Sequence, residues 1–280
     1  MRPRQWAKNL FVFAGLLFAQ KLFTPRAALA VAAFAVFCAL SGAMYLLNDV
    51  ADREKDRLHP SKRERPIASG RLSVPAAVAA AVALLVLALG ASLLISRPFA
   101  VVAAAYAVLL TSYSVWLKHI VIVDVLVVAI GFVLRAVGGA VAIDVEISGW
   151  LLICTILLAL FLALGKRRHE YLALGGEAGQ HRPILAEYSA GLLDQMIAVV
   201  TASAVTAYAL YTMSPETVAK FHTHLLPVTL PFVLYGIFRY LYLLYRRDLG
   251  GNPSELFLND GPLLVNTFLW FLVVLVIIYH

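Results

Sequence analysis

Of the 280 residues, 62% are hydrophobic and only 14% are charged, with a net charge of +7. A water-soluble domain carries about 25% charged residues, so a soluble enzyme is excluded and an integral membrane protein is implied. At a mean hydropathy of +0.85 no polar stretch is long enough to bury a core of its own, which predicts a single integral-membrane domain over residues 1–280 and no nucleic-acid partner.

The chain begins with Arg2, Arg4 and Trp6, and Lys8 and Asn9 interrupt the apolar region that a cleaved signal needs. It is therefore expected to keep this segment as its first helix. Apolar runs of about 17 to 25 residues cross a bilayer. Nine such runs follow one another, at 7–23, 27–47, 75–96, 98–116, 120–142, 148–165, 191–213, 225–245 and 262–279. The fold class is therefore all-α and polytopic. Connections on one side of these spans hold seventeen Lys and Arg, and those on the other side hold only Lys21, Arg26, Arg97 and Lys220. By the positive-inside rule the N-terminus is cytoplasmic and the C-terminus outside. Cys38 and Cys154 lie in apolar runs and read as packing residues.

The connection after the second run is the most charged part of the chain. Asn48, Asp49, Asp52 and Asp56 fall on one face of a helix. Three carboxylates converging on one point repel unless a cation neutralises them, and hard oxygen ligands suit magnesium shared with substrate phosphates. These four residues are the expected Mg2+ ligands, and the aspartates the expected catalytic groups. Arg57, Lys62, Arg63 and Arg65 follow as donors suited to phosphate oxygens. His59-Pro60 predicts a turn that folds the later cations back over the aspartates, and Pro66 and Gly70 mark a break before the third run.

Further along, Tyr113 and Lys118 stand at the cytoplasmic end of the fourth run, and Asp124 and Arg135 lie inside the fifth. Ionisable groups inside a membrane are expensive and point to function, although Asp124 is near enough to the interface to pair with Lys118. The sixth run ends in Lys166, Arg167, Arg168, His169 and Glu170. This second cationic cluster suits a separate anionic group, while topology and a simple Lys166–Glu170 helix pair remain open readings. His222 and His224 read as an exposed loop pair.

The pattern Asn-Asp-x-x-Asp-x-x-x-Asp at Asn48, Asp49, Asp52 and Asp56, with the nine-run layout, resembles the UbiA superfamily of intramembrane prenyltransferases. The resemblance implies nine transmembrane helices around a central cavity capped by cytoplasmic loops, with magnesium holding a diphosphate. Ordinary members carry a second aspartate-rich motif after the sixth span, where this chain has Lys166, Arg167 and Arg168. That departure, together with Arg2-Pro3-x-x-Trp6-x-Lys8-Asn9 and the run His59 to Gly70, resembles the branch that acts on decaprenyl phosphate. The implied reaction moves 5-phosphoribosyl from 5-phosphoribosyl 1-diphosphate to a polyprenyl phosphate, for cell-wall arabinan precursor synthesis in the plasma membrane.

On this reading Lys166, Arg167 and Arg168 join Arg57, Lys62, Arg63 and Arg65 in holding donor phosphates. Lys8, Tyr113, Lys118, Asp124, Arg135 and Glu170 are candidates for the lipid phosphate or for supporting the groups that bind it. The alternatives are prenyl transfer to an aromatic acceptor and a transporter without chemistry. Membrane lipids are expected partners, and a homo-oligomer is left open.

Overall fold

A computed structural model of the chain describes residues 3–58, 62–174, 183–247, 249–251 and 253–280. The predicted turn at His59-Pro60 lies outside these residues, as do Arg2 and Arg182, two of the seventeen cations counted on the cytoplasmic side. The architecture is all-helical. Pro3–Phe13 is a 3-10 helix that runs into α1 (Ala14–Phe18). It is followed by α2 (Arg26–Ala51), α3 (Arg53–Leu58), α4 (Val74–Ile95), α5 (Arg97–Val115), α6 (Val123–Ala142) and α7 (Gly149–Leu174). The last part holds α8 (Ala190–Met213), α9 (Pro215–Phe221), α10 (Leu230–Arg246), α11 (Pro253–Asn259) and α12 (Gly261–Tyr279).

Among the described residues, eight helices are long and apolar enough to cross a membrane. The first run, expected as a span over 7–23, is not among them. An 11-residue 3-10 helix is unusual, because runs beyond 3–4 residues have poor hydrogen-bond geometry. At about 2.0 Å per residue it climbs roughly 22 Å, well beyond what an α-helix of that length reaches.

The chain divides into two compact units. The first comprises Met1–Leu16, Lys21–Val115 and Leu134–Glu146. Its core joins Val12 to Phe37 and Leu40 of α2 and to Phe99 and Tyr106 of α5. Phe37 meets Phe99 and Tyr106 edge-on, with ring centroids 6.0 and 5.1 Å apart. Ala33 and Ala103 are wholly buried at this contact, the small-residue packing that lets membrane helices approach closely. Gly139 of α6 takes this furthest. A Cβ there would sit 1.8 Å from the Val12 carbonyl oxygen, so only glycine admits the first segment at this point. Before α4 the chain turns at Gly70, whose φ of +80° favours glycine. Ser73 then caps the helix by accepting from the Ala76 amide.

The second unit comprises Leu17–Gln20, Trp116–Val133 and Ile147–His280. Its main core gathers Phe161 and Leu164 of α7, Leu193 and Ile197 of α8, and Tyr240, Leu243 and Leu244 of α10. Asp260 caps α12 by accepting from the Leu263 amide, and both its oxygens also take a bond from Arg239, at 3.1 and 2.8 Å. The bonds from Arg239 hold the Asp260 carboxyl below the usual carboxylate range.

Candidate active site

In the first unit the acidic block is carried by two helices rather than by the single one expected. Asn48 and Asp49 end α2, Asp52 is its C-cap, and Asp56 lies on α3. The helical bond from the Asp56 amide to the Asp52 carbonyl persists across the break at 2.8 Å, so the four residues keep their succession. The stretch after the block folds back as expected, and Arg65 reaches the carboxylates. Arg65 Nη1 lies 3.0 Å from Asp49 Oδ1 and 2.6 Å from Asp56 Oδ2. Asp56 is only 3% exposed. Arg57 is turned to its own loop: its Nε donates to the Ala68 carbonyl at 3.1 Å, and it pairs with Glu54 at 3.4 Å. Lys62 and Arg63 lie on an exposed 3-10 turn.

Among the described residues, no three of His, Cys, Asp and Glu gather closely enough to form a metal centre by themselves. Magnesium does not ask for one, since it is commonly held by one or two carboxylates together with substrate phosphates. Oxygens of Asp49 and Asp56 already converge on a single positive nitrogen. The donor set of Asn48, Asp49, Asp52 and Asp56 is all hard oxygen, so the residues present fit such an ion.

Also in the first unit, Arg135 is buried and donates to two neutral groups. Its Nε donates to Asn9 Oδ1 at 2.8 Å and its Nη2 to Tyr106 Oη at 2.5 Å, with the guanidinium 4.9 Å from the Tyr106 ring centroid. Asn9 also donates to Cys38 Sγ and Ser41 Oγ, each at 3.2 Å. This buried network ties the first segment to α2, α5 and α6. Lys8 precedes it on the first segment, and Tyr113 lies near the end of α5.

In the second unit the cations of α7 part company. Arg167, 4% exposed, donates from Nε to Asp124 Oδ2 at 2.6 Å and from Nη1 to Glu170 Oε2 at 2.7 Å. Asp124 is therefore engaged by Arg167, where the sequence suggested Lys118. Arg168 bonds Asp194 at 2.6 Å and lies 3.9 Å over the Tyr245 ring. Lys166 is the most exposed of the three and makes the expected helix pair with Glu170, at 3.6 Å. Lys118 stands on the 3-10 turn Leu117–His119.

Sequence reasoning missed Tyr188. Its hydroxyl donates to Asp124 Oδ1 at 2.7 Å and accepts from the Ile122 amide at 2.8 Å. Burial, with the Asp124 bond second, pushes this phenol far above its ordinary range, so it stays a neutral donor. Asn9, Tyr106 and Asp194 were also missed as partners. Only Asn9 carried a signal, as an amide placed in an apolar run.

The geometry thus comprises an acidic block crossed by an arginine and, separately, a buried ion-pair network at the end of α7. The family model for the UbiA prenyltransferase family matches residues 9–272. The chain belongs to the UbiA prenyltransferase family. Several relatives are similar over nearly all of it, two of them as follows. The decaprenyl-phosphate phosphoribosyltransferase of Corynebacterium glutamicum is 35% identical, covering 100% of this chain and 85% of the relative. That of Mycolicibacterium smegmatis is 31% identical, covering 96% and 88%. Among solved structures, a UbiA homolog from Archaeoglobus fulgidus bound to GPP and Mg2+ superposes with a TM-score of 0.76 at 19% identity, covering 100% of this chain and 98% of that one. At that identity the likeness shows the fold. UbiA membership and eight apolar helices make this a multi-pass membrane protein.

Proposed function

We propose that the chain is a polyprenyl-phosphate phosphoribosyltransferase. It takes 5-phosphoribosyl 1-diphosphate as donor and a polyprenyl phosphate as acceptor, and releases diphosphate. The carrying observation is the end-to-end similarity to relatives of that name, four of them at 30–35% identity. The charge asymmetry of the sequence supports a plasma-membrane protein with the N-terminus and the site on the cytoplasmic side.

In the reaction the bond from the ribose anomeric carbon to the diphosphate oxygen breaks, and its electron pair leaves with diphosphate. An oxygen of the lipid phosphate forms the new bond from the opposite ring face, inverting that carbon. This oxygen is already ionised at neutral pH, so no general base is required. Arg57, Lys62, Arg63 and Arg65 supply positive charge to the leaving group. Magnesium held by Asn48, Asp49, Asp52 and Asp56 would add charge neutralisation at the diphosphate; the Archaeoglobus neighbour bound to GPP and Mg2+ supports this requirement.

The test is turnover of the purified chain with phosphoribosyl diphosphate plus polyprenyl phosphate, against a prenyl diphosphate plus an aromatic acid. Product from the first pair only is expected, and product from the second only would replace this reading with prenyl transfer.

The position of Arg65 has a measurable consequence. Its charged bonds to Asp49 and Asp56 compete with any cation for the same oxygens. A hydrogen bond to a charged group is worth about 1.5–3 kcal/mol, and about 1.4 kcal/mol is tenfold in affinity. Arg65→Ala should therefore lower the midpoint of the magnesium-dependent rise in melting temperature, measured without substrate, by about tenfold. An unchanged or higher midpoint would show that Arg65 and the ion do not share ligands.

A further inference from the structure

Two unlike faces run along α10. One carries Ile237, Tyr240, Leu243 and Leu244 into the core of its unit. On the other, Tyr235, Arg239, Tyr242 and Arg246 follow at spacings of four, three and four, which keeps them in one stripe of an α-helix. Tyr235 and Tyr242 are 45% and 42% exposed, and Arg246 and the following Arg247 are exposed too. The exposed face of α12, in the same unit, is instead aliphatic, with Leu264, Leu269, Leu272 and Val276. Hydrocarbon chains suit the α12 face and give the tyrosines and arginines of α10 no polar partner.

An interfacial belt accounts for only part of this stripe. Tyrosines gather at headgroup depth, and Tyr245, Arg246 and Arg247 at the cytoplasmic end of the span fit that place. Arg239 and Tyr235 stand seven and eleven residues before Arg246, about 10 Å and 16 Å along the axis at 1.5 Å per residue. A cation at that depth has to be answered by an acid. Arg239 bonds both oxygens of Asp260, at 3.1 and 2.8 Å, and lies 5.3 Å from the Tyr242 ring centroid. Arg168 is answered by Asp194 at 2.6 Å and lies over the Tyr245 ring, whose hydroxyl donates to the same carboxylate at 2.8 Å. These two pairs neutralise their own charges and seat Tyr242 and Tyr245. Among the described residues, Arg246 and Arg247 have no ion-pair partner.

We infer that this face of α10 binds one anionic glycerophospholipid of the cytoplasmic leaflet. Arg246 and Arg247 meet its phosphate, Tyr242 and Tyr245 offer ring and hydroxyl to the glycerol ester region, and an acyl chain lies along Phe238 and Tyr235. Charge complementarity names the occupant: two unanswered cations stand at headgroup depth on the leaflet that holds the acidic lipids. The inference rests on the membrane topology and is independent of phosphoribosyl transfer.

The experiment follows the melting temperature of the full chain in neutral detergent against added short-chain phosphatidylglycerol, short-chain phosphatidylcholine, glycerol phosphate or a short polyprenyl phosphate. Wild type should be stabilised by phosphatidylglycerol at a concentration where the other three do little. Arg246→Gln and Arg247→Gln should each raise the midpoint about fivefold. Tyr242→Leu, which alters no charge, should raise it about threefold. Arg97→Gln removes an exposed cation from the other side of the membrane and should leave the midpoint unchanged. Equal midpoints for the two phospholipids, or for wild type and the arginine variants, overturn the inference. An effect of Arg97→Gln as large as that of Arg246→Gln also overturns it, by showing a response to bulk charge. Equal stabilisation by glycerol phosphate would make this a free-phosphate site, and equal stabilisation by polyprenyl phosphate would give the face to the substrate lipid. A melting temperature that rises with protein concentration and ignores lipid would give it to a second copy of the chain. Turnover does not enter the readout, so failure of the proposed reaction leaves this test standing.

Discussion

Asp52→Asn should reduce magnesium-dependent turnover by about three orders of magnitude while the protein stays folded. The carboxylate is at the junction of α2 and α3, half-buried, as the C-cap of α2. Bonds that define the junction are made by main chain: the Asp52 amide to the Asn48 carbonyl at 2.9 Å, and the Asp56 amide to the Asp52 carbonyl at 2.8 Å. Asparagine keeps the shape and these main-chain bonds, so the change removes the charge of the side chain. Metal-assisted charge stabilisation is worth several kcal/mol, and each 1.36 kcal/mol is tenfold in rate, so a loss of about 10³ is the scale expected. Replacing Asp56 would also remove the 2.6 Å partner of Arg65. The measurement is initial rate against magnesium concentration, with melting temperature as the control for folding. Full activity in Asp52→Asn would remove the acidic block from the reaction.

Most of the fold was legible because the membrane imposes a simple rule: about 20 apolar residues between polar interruptions. The runs at 75–96, 98–116, 191–213 and 262–279 fall within a residue or so of Val74–Ile95, Arg97–Val115, Ala190–Met213 and Gly261–Tyr279. The first run escaped the rule. Its segment packs against Gly139, more than a hundred residues away, a contact that local spacing does not announce. Local spacing also announced the acidic block and the Lys166–Glu170 pair, both of which lie within one or two helical turns. It did not announce the break of the helix at Asp52, where no proline or glycine marks the end.

The roles of the buried ions were not legible at all. Arg135 reads in sequence as an isolated charge, and its partner Asn9 is 126 positions away. Arg167 and Arg168 are adjacent in a basic run, which invites one shared role. The structure turns one to Asp124 and the other to Asp194. A run of like charges has no local feature that distinguishes a phosphate ligand from half of an ion pair, because the distinguishing acid lies on another helix.

That distinction carries a second large effect, on stability. Arg167→Met should destabilise the protein by about 3–5 kcal/mol, since removing one partner strands the other charge in a buried position. Asp124 exposes none of its surface, and without Arg167 the only described bond to its carboxylate is from Tyr188. Glu170 also loses its 2.7 Å partner, but at 24% side-chain exposure it is reached by water and by Lys166. The stranded Asp124 therefore dominates the loss. Adding Asp124→Asn to Arg167→Met should recover part of it, because the amide carries no charge to bury and still accepts from Tyr188. Melting temperature in detergent should accordingly rank wild type highest, the double variant next and Arg167→Met lowest. Were Arg167 instead a ligand of the donor, the single variant would melt like wild type and show only a raised KM for phosphoribosyl diphosphate. The order of the three melting temperatures decides between a guanidinium spent on the fold and one kept for the substrate.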